Sequence, residues 1–188
     1  MLFKKRAVVF MPFFFAAVAL VGNSVEVSGA EDKPSLARAL SALHAASQSA
    51  IKVSDLADKR AKSDLVKAYA RTVSSGNAQL NAKLMLIAQK QGIKVLPLDP
   101  KTEAGKSLSD RLKAETVMLG SLTGDAFDKE YMILVTSTQQ SIIHLADARI
   151  AAATDAEVKA FFTDLKTLVE GRLTTAQDIL AKVYGDDI

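Results

Sequence analysis

The stretch SDLVKAYARTVSSGNAQLNAKLMLIAQKQG, residues 63–92, decides the fold. Its apolar residues Val66, Tyr69, Val73, Leu80, Leu84 and Ile87 recur by threes, fours and one seven, which is one face of an α-helix. Ser63 stands where an N-cap belongs, and Asp64 lies in the first turn, where the helix dipole favours a carboxylate. Gly92 follows the last periodic residue as a C′ glycine. The stretch predicts one long helix over 64–91.

Working outward toward the N-terminus, residues 35–58 carry a second stripe of Leu36, Leu40, Leu43, Ala50, Val53 and Ala57. A charged break at 59–62 separates the two helices. So short a joint forces antiparallel neighbours, hence a helical hairpin. In the other direction, IKVLPLDP at 93–100 holds two prolines and must run extended as a crossing segment. A shorter helix follows over 102–119, then a Thr123-Gly124 break in which Thr123 or Asp125 can cap the next helix. That helix, 125–153, carries Phe127, Tyr131, Leu134, Thr138, Ile142 and Leu145. After a tight Thr154-Asp155 joint, the last helix spans 155–184 with Val158, Phe161, Leu165, Leu168, Ala176, Ile179 and Val183 inward. The expected fold is all-α, a ferritin-like four-helix bundle of two hairpins joined by a crossover with a short extra helix. Val66-Lys67-Ala68-Tyr69 and Val158-Lys159-Ala160-Phe161 open the second helices of the two hairpins, 92 residues apart, as an internal duplication would leave them.

Residues 1–30 read as something other than fold. Lys4, Lys5 and Arg6 precede an uncharged apolar run from Ala7 to Val21, and Ser28-Gly29-Ala30 is a small-x-small cleavage site. This is the layout of a secretory signal peptide, with cleavage expected before Glu31. The run is short of the roughly 20 residues needed to span a bilayer, and no twin arginine directs it to the folded-protein route. The single domain is then 31–188. Losing Lys4, Lys5, Arg6 and Glu26 takes 24 basic and 21 acidic residues to 21 and 20, a net charge of +1. A near-neutral domain offers no electrostatic case for nucleic acid. The mature chain has no transmembrane segment, and no series of alternating strands exists to build a barrel.

Catalytic chemistry is sparse. There is no Cys and only two His, which excludes disulfides, thiolate metal sites and a cysteine nucleophile. No Gly-x-Ser-x-Gly elbow, phosphate loop or dinucleotide fingerprint occurs. A ferritin-like di-iron site requires inward Glu residues and two Glu-x-x-His pairs, and no Glu-x-x-His occurs. The nearest object is His144-x-x-Asp147, an imidazole and a carboxylate on one helical face, set against its reading as a surface pair. His44, one residue past Leu43, belongs on a solvated flank.

Leu119-x-x-Leu122-Thr123-Gly124-x-x-Phe127-Asp128-x-x-Tyr131, together with Val66-Lys67-Ala68-Tyr69-Ala70, Leu84-x-x-x-Ala88 and Gly92, resembles a bacterial family of unknown function. Its members are described as outer-membrane or periplasmic proteins with a ferritin-like bundle. The resemblance implies one His in each of three long helices, forming a metal or ligand site. Those positions map to Gly76, Gln139 and Gly171, so this chain is a histidine-poor member with no metal and no cofactor expected. Gly76 and Gly171 then mark either close helix packing or a small cavity. Phe127 and Tyr131 read as core aromatics, with Asp128 free to accept from a backbone amide or a tyrosine hydroxyl.

The expected protein is an exported, non-enzymatic bundle of the periplasm or envelope, a binding or structural protein with a stress role among its options. Outer-membrane association stays open, as does the partner, an envelope component or a small ligand. The competing readings are a ferritin-like protein with an altered metal site and a carrier of a small apolar ligand.

Overall fold

A computed structural model describes residues 33–96 and 103–185, which hold five helices and no strand. These are α1 (Lys33–Arg60), α2 (Asp64–Lys90), α3 (Glu103–Ser121), α4 (Gly124–Ala152) and α5 (Ala156–Tyr184). The segment expected to be a signal peptide and both prolines of the crossing segment lie outside the described residues.

The helices end where local chemistry ends them. Gly92 adopts φ 62°, its amide bonds Gln89 O, and the Ile93 amide bonds Ala88 O at 2.8 Å. That is the left-handed glycine stop expected for α2. Ser63 occupies the N-cap position of α2, but its side chain caps nothing. Among the described residues the cap that works through its side chain is Asp155, whose carboxylate accepts from the amides of Glu157 and Val158 at 2.9 Å.

α1 pairs with α2 and α4 pairs with α5 as two antiparallel hairpins. Ion pairs and polar contacts bridge each hairpin at matching heights: Arg71 to Asp58, Ser74 to Asp55 and Ser47 to Asn77 in the first, Lys166 to Asp147 in the second. The hairpins then pack α1 on α4 and α2 on α5. Ser54 meets Tyr131 near one end of the α1–α4 seam, and Ser35 meets Arg149 at the other, so these helices are also antiparallel. Tyr69 meets Arg172, and Lys90 meets Glu157, on the α2–α5 seam with the same sense. The order is therefore up, down, down, up. The chain from Gln91 to Thr123, containing α3, must travel the length of the molecule. Arg60 fastens the far end of that crossing. Its guanidinium donates to the carbonyls of Gly120 and Leu122 at 3.0 Å and sits 5.6 Å above the Phe127 ring.

The core comes in two parts. One, toward the α1–α2 joint, is built around Val66, Phe127, Tyr131 and Met132; the other, toward the α4–α5 joint, around Leu40, Leu84, Phe162 and Leu165. In α5 the inward stripe runs from Leu165 through Val169 and Arg172 to Ala176. Leu168, expected inward, is 42% exposed, whereas Val169 is 2% exposed. The reason is helical phase: after Leu165 the steps of four, three and four fall on Val169, Arg172 and Ala176, and an arginine hides the stripe from a reader counting apolar residues.

Candidate functional site

Between the two core clusters, and reaching into the one toward the α1–α2 joint at Ser54, Tyr69 and Tyr131, lies a layer of buried polar side chains. α1 contributes Ser47 and Ser54, α2 contributes Asn77 and the Tyr69 hydroxyl, α4 contributes Gln139 and the Tyr131 hydroxyl, and α5 contributes Arg172. Each occupies a core-facing helical position, so burial is imposed by phase while polarity is retained.

Most of the layer is satisfied internally. Ser47 Oγ donates to Asn77, with both the backbone carbonyl and Oδ1 at 3.1 Å, and Asn77 Nδ2 donates to Val73 O at 2.8 Å. Tyr131 and Ser54 share a hydroxyl–hydroxyl bond at 3.0 Å. Tyr69 Oη donates to the Arg172 carbonyl at 3.2 Å and accepts from Gln139 Nε2. Within the layer, Gln139 Oε1 and Arg172 Nε stay without a hydrogen-bond partner. Burial pushes the Tyr69 phenol above its ordinary value, against the Gln139 bond and the Arg172 charge, which pull it down. The Tyr131 phenol is driven higher still by burial. Burial also lowers Arg172, while the two tyrosines act in the opposite sense. The arrangement raises the tyrosine pKa values and so offers no phenolate for general-base work at neutral pH.

A cavity of about 80 Å³ opens on this layer. Asn77, Gln139 and Arg172 give it polar ground, and Ala50, Val53 and Leu134 give it apolar wall. Leu112 and Glu115 of α3 complete the wall, so the crossover is part of the site.

The positions singled out in the sequence fall as follows. Gln139 is buried in the layer. Gly76 faces inward, but leaves no void: a Cβ there would come within 1.8 Å of Arg172 Nη2, so the glycine exists to let the guanidinium lie against α2. Gly171 is exposed on the outer face of α5, with no atom near its missing side chain. Three family positions therefore do not converge. Gly76 and Gln139 share the layer, and the inward residue of α5 is Arg172, one place further on. Of the two readings of these glycines, close packing fits Gly76; the cavity is lined by Ala46, Ser49 and Ala50 of α1 and by neither glycine.

His144 and Asp147 lie together on the exposed face of α4, and Asp147 is held by Lys166 at 2.6 Å. His44 is half-buried and reaches Asn81 Oδ1 at 3.2 Å. Among the described residues no three His, Cys, Asp or Glu side chains converge on a metal position. Sequence reading missed Arg172 altogether, although its place three after Val169 and four before Ala176 marked it as a possible inward position.

The Gly-x-x-Phe-Asp-x-x-Tyr element has a structural task at one end of the bundle. Asp128 is fully buried, and its carboxylate accepts from the amides of Lys62 at 2.9 and 3.1 Å and of Ser63 at 2.7 Å. An acid on α4 thus holds the α1–α2 joint just ahead of the first turn of α2. Phe127 and Tyr131 flank it in the core.

Residues 24–179, which include this element, match the family of a domain of unknown function, DUF4142. The chain belongs to the DUF4142 family. No curated protein matches the sequence. Among solved structures, a DUF305 protein of Streptomyces coelicolor, titled a secreted protein, superposes with a TM-score of 0.62. The two are 20% identical, over 78% of this chain and 90% of the other. At that identity the likeness is one of fold. For this DUF4142 chain the fold supplies a polar mid-layer with an attached cavity, and no described helix is long and apolar enough to cross a membrane.

Proposed function

We propose that this DUF4142 chain is an exported, non-enzymatic binding protein of the periplasm or envelope that holds a small ligand inside its bundle. The observation carrying the reading is the cavity against the polar layer, mostly apolar with a few convergent polar groups, the usual character of a ligand site. The up-down-down-up order with a single long crossing supports reading α1, α2, α4 and α5 as a ferritin-like four-helix bundle. The basic, apolar and Ser-x-Ala sequence at the N-terminus, together with the secreted character given to the DUF305 protein, supports export. The tyrosines have pKa values moved away from neutrality and no nucleophile–base pair stands beside them, which supports a binding rather than a catalytic role.

Native mass spectrometry of the protein isolated from its host, without denaturation, tests the reading. A stoichiometric organic adduct lost on unfolding is the expected result. A transition metal at about one equivalent, retained through dialysis, would instead favour the altered metal site and overturn the proposal.

A further inference from the structure

Arg172 is 8% exposed and lines the cavity, yet among the described residues its guanidinium has no ion pair and its Nε no hydrogen-bond partner. A buried cation without a counter-charge is expensive to hold, because desolvation is not offset by Coulombic attraction. The fold nevertheless makes room for it. Gly76 clears the space in which the guanidinium lies, and the Arg172 carbonyl is tied to the Tyr69 hydroxyl. Beside it, Gln139 Oε1 is a second buried polar atom without a partner.

We propose that the cavity binds a short-chain monocarboxylate, with the carboxylate on the Arg172 guanidinium and the alkyl chain against Ala50, Val53 and Leu134. The inference rests on the cavity being the ligand site. A carboxylate matches the planar guanidinium through charge-assisted hydrogen bonds, and the apolar walls reject a bare hydrated ion. Size argues for a short chain: about 80 Å³ is roughly half of the ~150 Å³ cavity that admits benzene.

Isothermal titration at constant ionic strength, using sodium butyrate, n-butanol and sodium phosphate as probes, tests this. Butyrate should saturate the wild-type protein at one site and bind at least tenfold more tightly than either other probe. Arg172→Met should weaken butyrate at least tenfold while leaving n-butanol within a few-fold of wild type. Ala50→Leu, which fills the apolar wall and leaves the arginine in place, should abolish both; it serves as the second variant if Arg172→Met loses its helical circular dichroism. Saturation by n-butanol without a preference for butyrate overturns the proposal and leaves the cavity as ligand site. Phosphate binding as tightly as butyrate overturns it by showing an anion site with no use for the alkyl chain. No saturation by butyrate or n-butanol overturns both the proposal and the reading beneath it.

Discussion

Asp128 shows how one side chain can hold two hairpins together. Its carboxylate is buried on α4 and receives the amides of Lys62 and Ser63 from the α1–α2 joint. Hydrogen bonds to a charged group contribute more than neutral ones, and the amides lose their acceptor when it is removed. Asp128→Ala should destabilise the protein by about 3 kcal/mol, and Asp128→Asn, which keeps one acceptor oxygen, by roughly half as much. Urea unfolding followed by circular dichroism measures both. The sequence marked Asp128 as a residue able to accept from an amide, but not which amide. The choice depends on how the second hairpin docks on the first, and periodicity along one helix carries no record of that.

At the scale of the helix, α5 separates what apolar counting sees from what helical phase decides. Leu165 and Leu168 are alike chemically, but Leu165 is 1% exposed and Leu168 is 42% exposed. Leu165→Ala should cost about 3 kcal/mol through lost burial and a cavity. Leu168→Ala should stay within about 0.5 kcal/mol, as for surface changes generally. Thermal melts of the two variants decide the phase, and equal losses would place the helix in the wrong rotation. The start of α5 carries a second test. The Asp155 carboxyl is held below its ordinary value, first by the Val158 amide and then by the Gln91 side chain. A depressed folded-state pKa contributes stability above the unfolded carboxylate range and loses it as pH falls through the folded value. Asp155→Ala should therefore lower Tm at neutral pH, with the gap from wild type closing in acid.

Across the whole molecule, all three tyrosines are shifted in the same direction. Burial raises Tyr69 and Tyr131 in the polar layer, and it pushes Tyr184, near the last turn of α5, up to about 12. A phenol whose folded pKa lies above its unfolded value of about 10 binds its proton more tightly when folded. That stability is complete below the unfolded value and is lost as pH rises through the folded ones. Absorbance titration should show no phenolate forming in an ordinary step near pH 10. Ionisation should instead coincide with cooperative loss of helical circular dichroism at higher pH. With no Trp in the chain the phenolate signal is unobscured. A phenol titrating near 10 with helicity intact would show that a tyrosine is not buried as described.

The sequence by itself determined the helices and their pairing. Stripes at helical spacing, a glycine stop at Gly92 and joints of two to four residues are local signals, and each acts within a few turns of chain. The long Pro-containing connection likewise required a crossing, because it left no room for a short turn between the hairpins. Only the tertiary structure decided the mid-layer. Arg172 looks like a surface residue in sequence, and Gly171 looks like the inward position when the last helix is aligned without a fixed rotation. Docking α2 against α5 sets that rotation, brings Arg172 onto Gly76 and turns Gly171 outward. A buried cation is costly, so no rule of composition predicts one. It appears only where four helices, each satisfying its own apolar stripe, meet at a height at which each presents a polar residue.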